Sequence, residues 1–174
     1  MERKDILPRG ENLRAYRRTN DSGTFFVTKC IVPRISLLAN DEIASIIIET
    51  FRFSVDGDRI KLSAFVIMPD HWHALFAVLP GWALPKFMKS IGTWMGKQTS
   101  AAMKERNVQW QKGYYDTRIT SSKQFLYIRD YIELNPVRKG LAQDPESWKW
   151  SSMNPKFQDF LSCPWPWPFE KDSG

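Results

Sequence analysis

Residues 60–78 read IKLSAFVIMPDHWHALFAV, two apolar runs rich in β-branched and aromatic residues, separated by Met68, Pro69 and Asp70. Proline lacks an amide hydrogen and fixes its own φ, so this break predicts two antiparallel strands, Ile60 to Met68 and His71 to Leu79, joined by a tight turn. Side chains at i and i+2 of a strand share a face. His71 and His73, the two histidines of the chain, are therefore presented together at the start of the returning strand. Two imidazoles on one face make half of a metal site.

The flanking elements read outward from this pair. Thr24 to Val32 has strand composition and closes at Pro33. Asn40 is placed to cap a helix whose first turn holds Asp41 and Glu42 and whose apolar face carries Ile43, Ile46, Ile47 and Phe51. After the Asp56-Gly57-Asp58 turn and the strand pair, Leu84 to Arg106 reads as a second helix. It has Pro85 near its start, Lys86, Lys89, Lys97 and Lys104 on its exposed side, and Gly92 and Gly96 as weak points. Val108 to Thr120 alternates imperfectly and predicts a short strand or hairpin. Ser121 or Ser122 then caps a helix reaching about Leu134, where Asn135-Pro136 ends it, because the residue before a proline is pushed out of the helical region. Beyond Asp144 the chain is rich in Trp and Pro and is expected to wrap over the core.

Composition sets the limits. A chain of 174 residues with 43% hydrophobic content can bury one substantial core, so a single domain is expected over 1–152, with a basic arm at 1–20 and a Trp/Pro-rich tail at 153–174. The net charge of +6, with eight Trp, five Tyr and eleven Phe, suits a polyanion whose unpaired bases stack on aromatic rings. Cys30 and Cys163 form no Cys-x-x-Cys pair, which argues against a disulfide framework or zinc ribbon and for a reducing cytoplasm. No secretion signal is legible, and no apolar run approaches the ~18 residues that span a bilayer, so no membrane partner is expected.

A second set of residues completes the site. Tyr127, Tyr131 and Asn135 fall at i, i+4 and i+8, so one helical face carries two phenols and an amide oxygen. Docked on the histidine strand, that face supplies Asn135 as a third metal ligand and a tyrosine hydroxyl beside it. A phenol next to a cation is drawn toward the phenolate that attacks phosphorus, and the product is a phosphotyrosine that a 3′-hydroxyl can later resolve without ATP.

Met68-Pro69-Asp70-His71-Trp72-His73-Ala74-Leu75 resembles the two-histidine "HUH" motif of single-tyrosine transposases of the REP-associated, IS200-like type. Residues 130–141, DYIELNPVRKGL, are similar to their nucleophile helix, and residues 145–152, PESWKWSS, to the segment after that helix. Arg17-Arg18 with Phe25-Phe26-Val27-Thr28, and Trp110 to Asp116, also match. The resemblance implies an α/β (α+β) fold with a ferredoxin-like core, its central antiparallel sheet flanked by helices. It implies a Mg²⁺- or Mn²⁺-dependent single-strand DNA endonuclease and strand transferase that cleaves beside DNA hairpins through a 5′-phosphotyrosine. His71, His73 and Asn135 match the metal ligands, and Tyr131 the nucleophile. The expected partner is single-stranded DNA with a REP-like hairpin, the expected state monomer or homodimer, and the expected location cytoplasmic and nucleoid-associated. Arg14, Arg17, Arg18, Arg118, Arg138 and Lys139 are the candidate DNA contacts.

Relatives often carry a histidine where this chain has Thr117, and the tail beyond Ser152 lies outside the resemblance. Two rival readings stand beside the transposase. The Tyr127/Tyr131 spacing also suits a two-tyrosine replication initiator. A hairpin-binding protein that has lost cleavage would use the basic arm and aromatics alone.

Overall fold

The computed structural model describes residues 22–162; the basic arm, with Arg14, Arg17 and Arg18, and the last twelve residues lie outside them. The central strand β1 (Gly23–Val32) pairs antiparallel with β3 (His71–Val78), and β3 pairs with β2 (Ile60–Ile67). Helix α1 (Asp41–Asp56) connects β1 to β2, and α2 (Leu84–Glu105) leads from β3 to the sheet's far side. With β4 at Gln109–Trp110, the sheet order β2-β3-β1-β4, in the chain sequence β-α-β-β-α-β, is the expected ferredoxin-like arrangement, with five antiparallel strands flanked by helices.

Local chemistry explains these elements. The Asn40 side chain accepts from the Glu42 amide at 3.0 Å and caps α1, as the sequence predicts. Helix α1 buries Ile43, Ile47, Ile48 and Phe51; Ile46, expected on this face, is only half-buried, because the inward stripe runs through Ala44 and Ile48 instead. Helix α2 buries Leu84, Phe87, Met88, Ile91 and Met95, and leaves Lys86, Lys89, Lys97 and Lys104 exposed.

The sheet separates two cores. Trp72, Ala74, Phe76 and Val78 of β3 point into the larger one, beneath α1 and α2. Strand alternation sends the intervening positions, His71, His73 and Leu75, to the opposite face. There a smaller core of Phe26, Ala64, Val66 and Leu75 receives Phe125, Ile128 and Ile132 from α3 (Ser122–Glu133). Burying those three side chains contributes roughly 1.5–3 kcal/mol each, which holds α3 against the face that carries both histidines.

Two segments differ in detail from the sequence reading. The region expected as a short strand or hairpin is one interrupted edge strand: β4 (Gln109–Trp110) pairs with Ile31 and Val32, and β5 (Tyr115–Arg118) with Phe25 to Thr28, both on β1. The break between them holds Gly113 at φ 75°, and its carbonyls at Gln111 and Gly113 accept from Lys29 Nζ at 2.5 and 2.6 Å. A hairpin would need β4 and β5 to pair with each other, and the apolar β1 claims both. The Trp/Pro-rich segment does wrap the core as far as Ser162, and it shields the free edge of β2. The Ile67 amide donates to the Trp150 carbonyl at 2.9 Å, the Ser152 amide to Phe65 at 2.9 Å, and the Ser162 amide to Leu62 at 2.8 Å. A 3₁₀ turn at Pro155–Phe160 drives Phe157 and Phe160 against Phe65.

Candidate active site

The turn before β3 and the loop after β1 lock together at the histidines. Leu37 and Leu38 amides donate to the Pro69 carbonyl at 2.8 and 2.7 Å, and the Ile31 amide donates to Asp70 at 3.1 Å. Arg34 Nε meets Asp70 Oδ2 at 2.5 Å, and Asp70 Oδ1 lies 2.6 Å from His71 Nδ1. A carboxylate only accepts, so the His71 proton sits on Nδ1 and the Nε2 lone pair is free. The longer 3.3 Å approach of Arg34 Nη2 to the same nitrogen is secondary. His73 is held through the same ring atom: its Nδ1 lies 2.7 Å from Thr28 Oγ1, a hydroxyl that can either accept from it or donate to it.

Both rings then present Nε2 to one point, with the two nitrogens 3.1 Å apart. At that separation one Nε2 can hydrogen-bond to the other, and a cation taking the place of the shared proton would be held by both lone pairs. Cis ligands about 2.1 Å from one octahedral cation stand about 3 Å apart, which is this spacing. Burial holds His73 well below the usual imidazole range, with the neighbouring His71 pushing the same way. His71 is also lowered by burial, partly offset by its bond to Asp70. Burial pushes the Asp70 carboxyl up, yet its bonds from His71 and Arg34 outweigh that and keep it below the ordinary range. The pair is therefore neutral, the form that ligates metals.

Helix α3 brings the phenol. The Tyr131 ring lies 5.5 Å from the His73 ring and 5.9 Å, edge-on, from Phe26, while Arg138 sits 6.0 Å over its face. Tyr127, one turn earlier, is 37% exposed, whereas Tyr131 is half-buried against the imidazole. One turn later, Asn135 opens a short helix, α4 (Asn135–Arg138), in which Pro136 begins a new helical turn as well as ending α3. Asn135 is 3% exposed and its Oδ1 is buried without a hydrogen-bond donor. In sequence it stands four residues after Tyr131, which packs on His73, and four before Lys139, whose charge acts on His71. An orphaned carbonyl there is what a cation would satisfy. Among the described residues, no third His, Cys, Asp or Glu joins the pair in a cluster able to hold an ion.

The DNA-contact candidates divide. Arg138 and Lys139 are exposed at the site's edge. Arg118 is not brought there: it pairs with Phe25, whose side chain lies in the α1/α2 core, so it points to the opposite face, with Nη2 3.4 Å from the Ser22 carbonyl. Thr117, by contrast, pairs with Phe26 on the histidine face. Thr28, Arg34 and Asp70 are additions that the sequence reading missed. Asp70 was signalled by adjacency to His71, but Thr28 and Arg34 require the strand register.

This fold, with neutral paired imidazoles facing a tyrosine from a late helix, is a layout suited to phosphoryl chemistry on a polyanion. Residues 26–135 match the family described as "Transposase IS200 like", and the chain belongs to that family, whose members are DNA-processing enzymes. It is 28% identical over 104 residues to the REP-associated tyrosine transposase of Escherichia coli (strain K12), an alignment spanning 58% of this chain and 59% of that protein's length. A solved structure of a REP-associated tyrosine transposase bound to a REP hairpin has the same fold, with a TM-score of 0.63 and 24% identity, over 91% of this chain and 94% of that one. No helix among the described residues is long and apolar enough to cross a membrane.

Proposed function

We propose that this protein is a metal-dependent single-strand DNA endonuclease and strand transferase that acts beside a DNA hairpin through Tyr131. The observation that carries this reading is the imidazole pair, with Nε2 atoms 3.1 Å apart, and the Tyr131 ring packed against His73; the buried, unpaired Oδ1 of Asn135, four residues after Tyr131, adds support. His71, His73 and Asn135 would hold the ion. The imidazoles favour Mn²⁺, the amide oxygen accepts Mn²⁺ or Mg²⁺, and three protein donors leave positions for water and phosphate. A bound ion would polarise the scissile phosphate and offset the charge that develops on its oxygens.

The chain's own residues do the rest. Asp70 fixes the His71 tautomer, and Asp70 and Thr28 together hold the two rings by Nδ1 so that both Nε2 atoms are aimed at one point. Packing against Phe26 and His73 holds the Tyr131 ring beside the imidazole pair. Its oxygen attacks phosphorus and loses its proton. The P–O3′ bond breaks, the departing strand takes up a proton as a 3′-hydroxyl, and the 5′-phosphate remains on the tyrosine. Attack by a 3′-hydroxyl reverses the steps and joins strands. Single-stranded substrate suits a site wedged between sheet and helix, because a duplex phosphate would be held away by its partner strand. The hairpin preference is supported by the REP hairpin carried by the structural relative.

The test is adduct trapping. A labelled hairpin strand incubated with Mn²⁺ should give a denaturant-resistant protein–DNA species. Tyr131→Phe and chelator should abolish it, and Tyr127→Phe should retain it. An adduct that survives Tyr131→Phe and disappears in Tyr127→Phe would overturn the assignment, and hairpin binding with no nicking in any metal would favour a binding-only protein.

A further inference from the structure

Cover over the histidine face is uneven. Helix α3 buries Phe26, Val66 and Leu75, but further along β1 that cover ends: Thr28 is half-buried and Tyr115 is 54% exposed. Cross-strand partners share a face, so the row Val66, His73, Thr28, Tyr115 runs straight across the sheet. Two strand spacings, about 10 Å, separate Tyr115 from His73 along that row. In the next row, Cys30 pairs with His71 and its carbonyl accepts from the Gln111 amide at 2.9 Å. Gln111 Nε2 then donates to Tyr115 Oη at 3.1 Å. Gln111 and Tyr115 thus form a rim on the edge-strand side of the histidines, with Tyr131 on the helix side.

An aromatic ring that is exposed, braced through its hydroxyl and placed beside a phosphoryl-transfer site has one evident use. We propose that Tyr115 is the platform on which an unpaired base next to the scissile phosphate stacks, so that it sets the position of the single strand over the histidine pair. This rests on the DNA reading of the site. A phosphate held at the histidines carries a neighbouring base out over the edge strand, where the cover of α3 is missing. Stacking needs only a π-face, so Tyr115 positions the strand without reading its sequence. Tyr115 is a positioning residue: its hydroxyl is engaged by Gln111, and its distance from His73 leaves the attack to Tyr131. The brace also lowers the ordering cost of stacking, since the ring is already held in one orientation.

The experiment is a binding cycle in a Tyr131→Phe background, which prevents cleavage. The probe is a hairpin strand with unpaired flanks, selected by the parent protein from a pool with randomised flanks, and each flanking nucleotide is replaced in turn by an abasic one. Tyr115→Ala is expected to weaken binding of the intact strand by roughly tenfold. One abasic position should weaken the parent by a similar factor and weaken Tyr115→Ala no further. Tyr115→Trp should restore affinity, which a general loss of folding would not allow. Tyr115→Ala binding within twofold of the parent on every strand overturns the stacking role, as does a change in oligomeric state with unaltered DNA affinity. If the protein with Tyr131 intact still forms the adduct, only the stacking role falls. If it neither binds nor nicks any single strand, the DNA reading falls with it.

Discussion

Replacing Asn135 by alanine separates a metal ligand from an ordinary buried amide. An unsatisfied buried acceptor costs about 1–3 kcal/mol, and Asn135 Oδ1 is buried without a hydrogen-bond donor. Removing it relieves that cost while losing a few packing contacts, so in chelator Asn135→Ala should stay within about 1 kcal/mol of the parent. Metal reverses the comparison. At a Mn²⁺ concentration a hundred times its Kd, the parent gains about 2.7 kcal/mol. For a domain of this size that raises Tm by about 5–11 °C. If loss of one ligand weakens the ion at least tenfold, the variant at the same concentration gains about 1.4 kcal/mol or less, and about 3–6 °C at most. Thermal unfolding followed by circular dichroism, in chelator and across a Mn²⁺ series, measures both limbs. A variant that loses more than about 2 kcal/mol in chelator and keeps the full metal response would show that the amide serves packing and not the ion.

Three further outcomes rest on the same geometry. Phe157→Ala should cost about 3–5 kcal/mol in urea titration, because the ring fills the core against Phe65; a loss below about 1 kcal/mol would remove the 3₁₀ turn from the core. Stability of the metal-free protein should fall as pH drops below about 6.5: both histidines take up protons in the unfolded chain near that value, while burial keeps the folded imidazoles neutral, so the unfolded state binds more protons. His73→Gln should flatten that dependence by roughly 1 kcal/mol between pH 7.5 and 5.5, and an unchanged slope in this variant would refute the assignment. Arg138→Gln and Lys139→Gln, which are exposed at the site's edge, should each reduce the slope of log Kd against log salt for single-stranded DNA by roughly 0.7, with little effect on sequence preference.

What was legible in the sequence divides by the range of the interactions involved. The His-x-His pair and the Asn40 cap are local, and local periodicity places each without knowledge of the fold; the shared helical face expected of Tyr131 and Asn135 is interrupted, because α3 ends at Glu133 and Asn135 opens α4. The register of β1 is not local: hydrogen bonds between distant segments decide that Thr28 meets His73 and Cys30 meets His71, and nothing near those residues announces it. The same register turns Arg118 away from the histidines and Thr117 toward them, because a single step along β5 exchanges the two faces. Arg34 is invisible for a related reason, since its link to Asp70 depends on the loop after β1 folding over the Pro69 turn.

The site is assembled from two separate commitments. The alternation of β3 sends Trp72 into one core and both histidines out of it, so folding the larger core is enough to present the imidazoles. Docking of α3 on the smaller core, through Phe125, Ile128 and Ile132, then delivers Tyr131, with Asn135 following at the start of α4. This second core is small, and one of its faces is the site itself. A truncation such as Ile128→Ala, worth about 2–5 kcal/mol, should therefore loosen the phenol and the amide while the β1–β3 pairing that aims the imidazoles remains supported from the other side. The imidazole pair is the rigid half of the site, and Tyr131, the proposed nucleophile, arrives on the half whose attachment is easier to change.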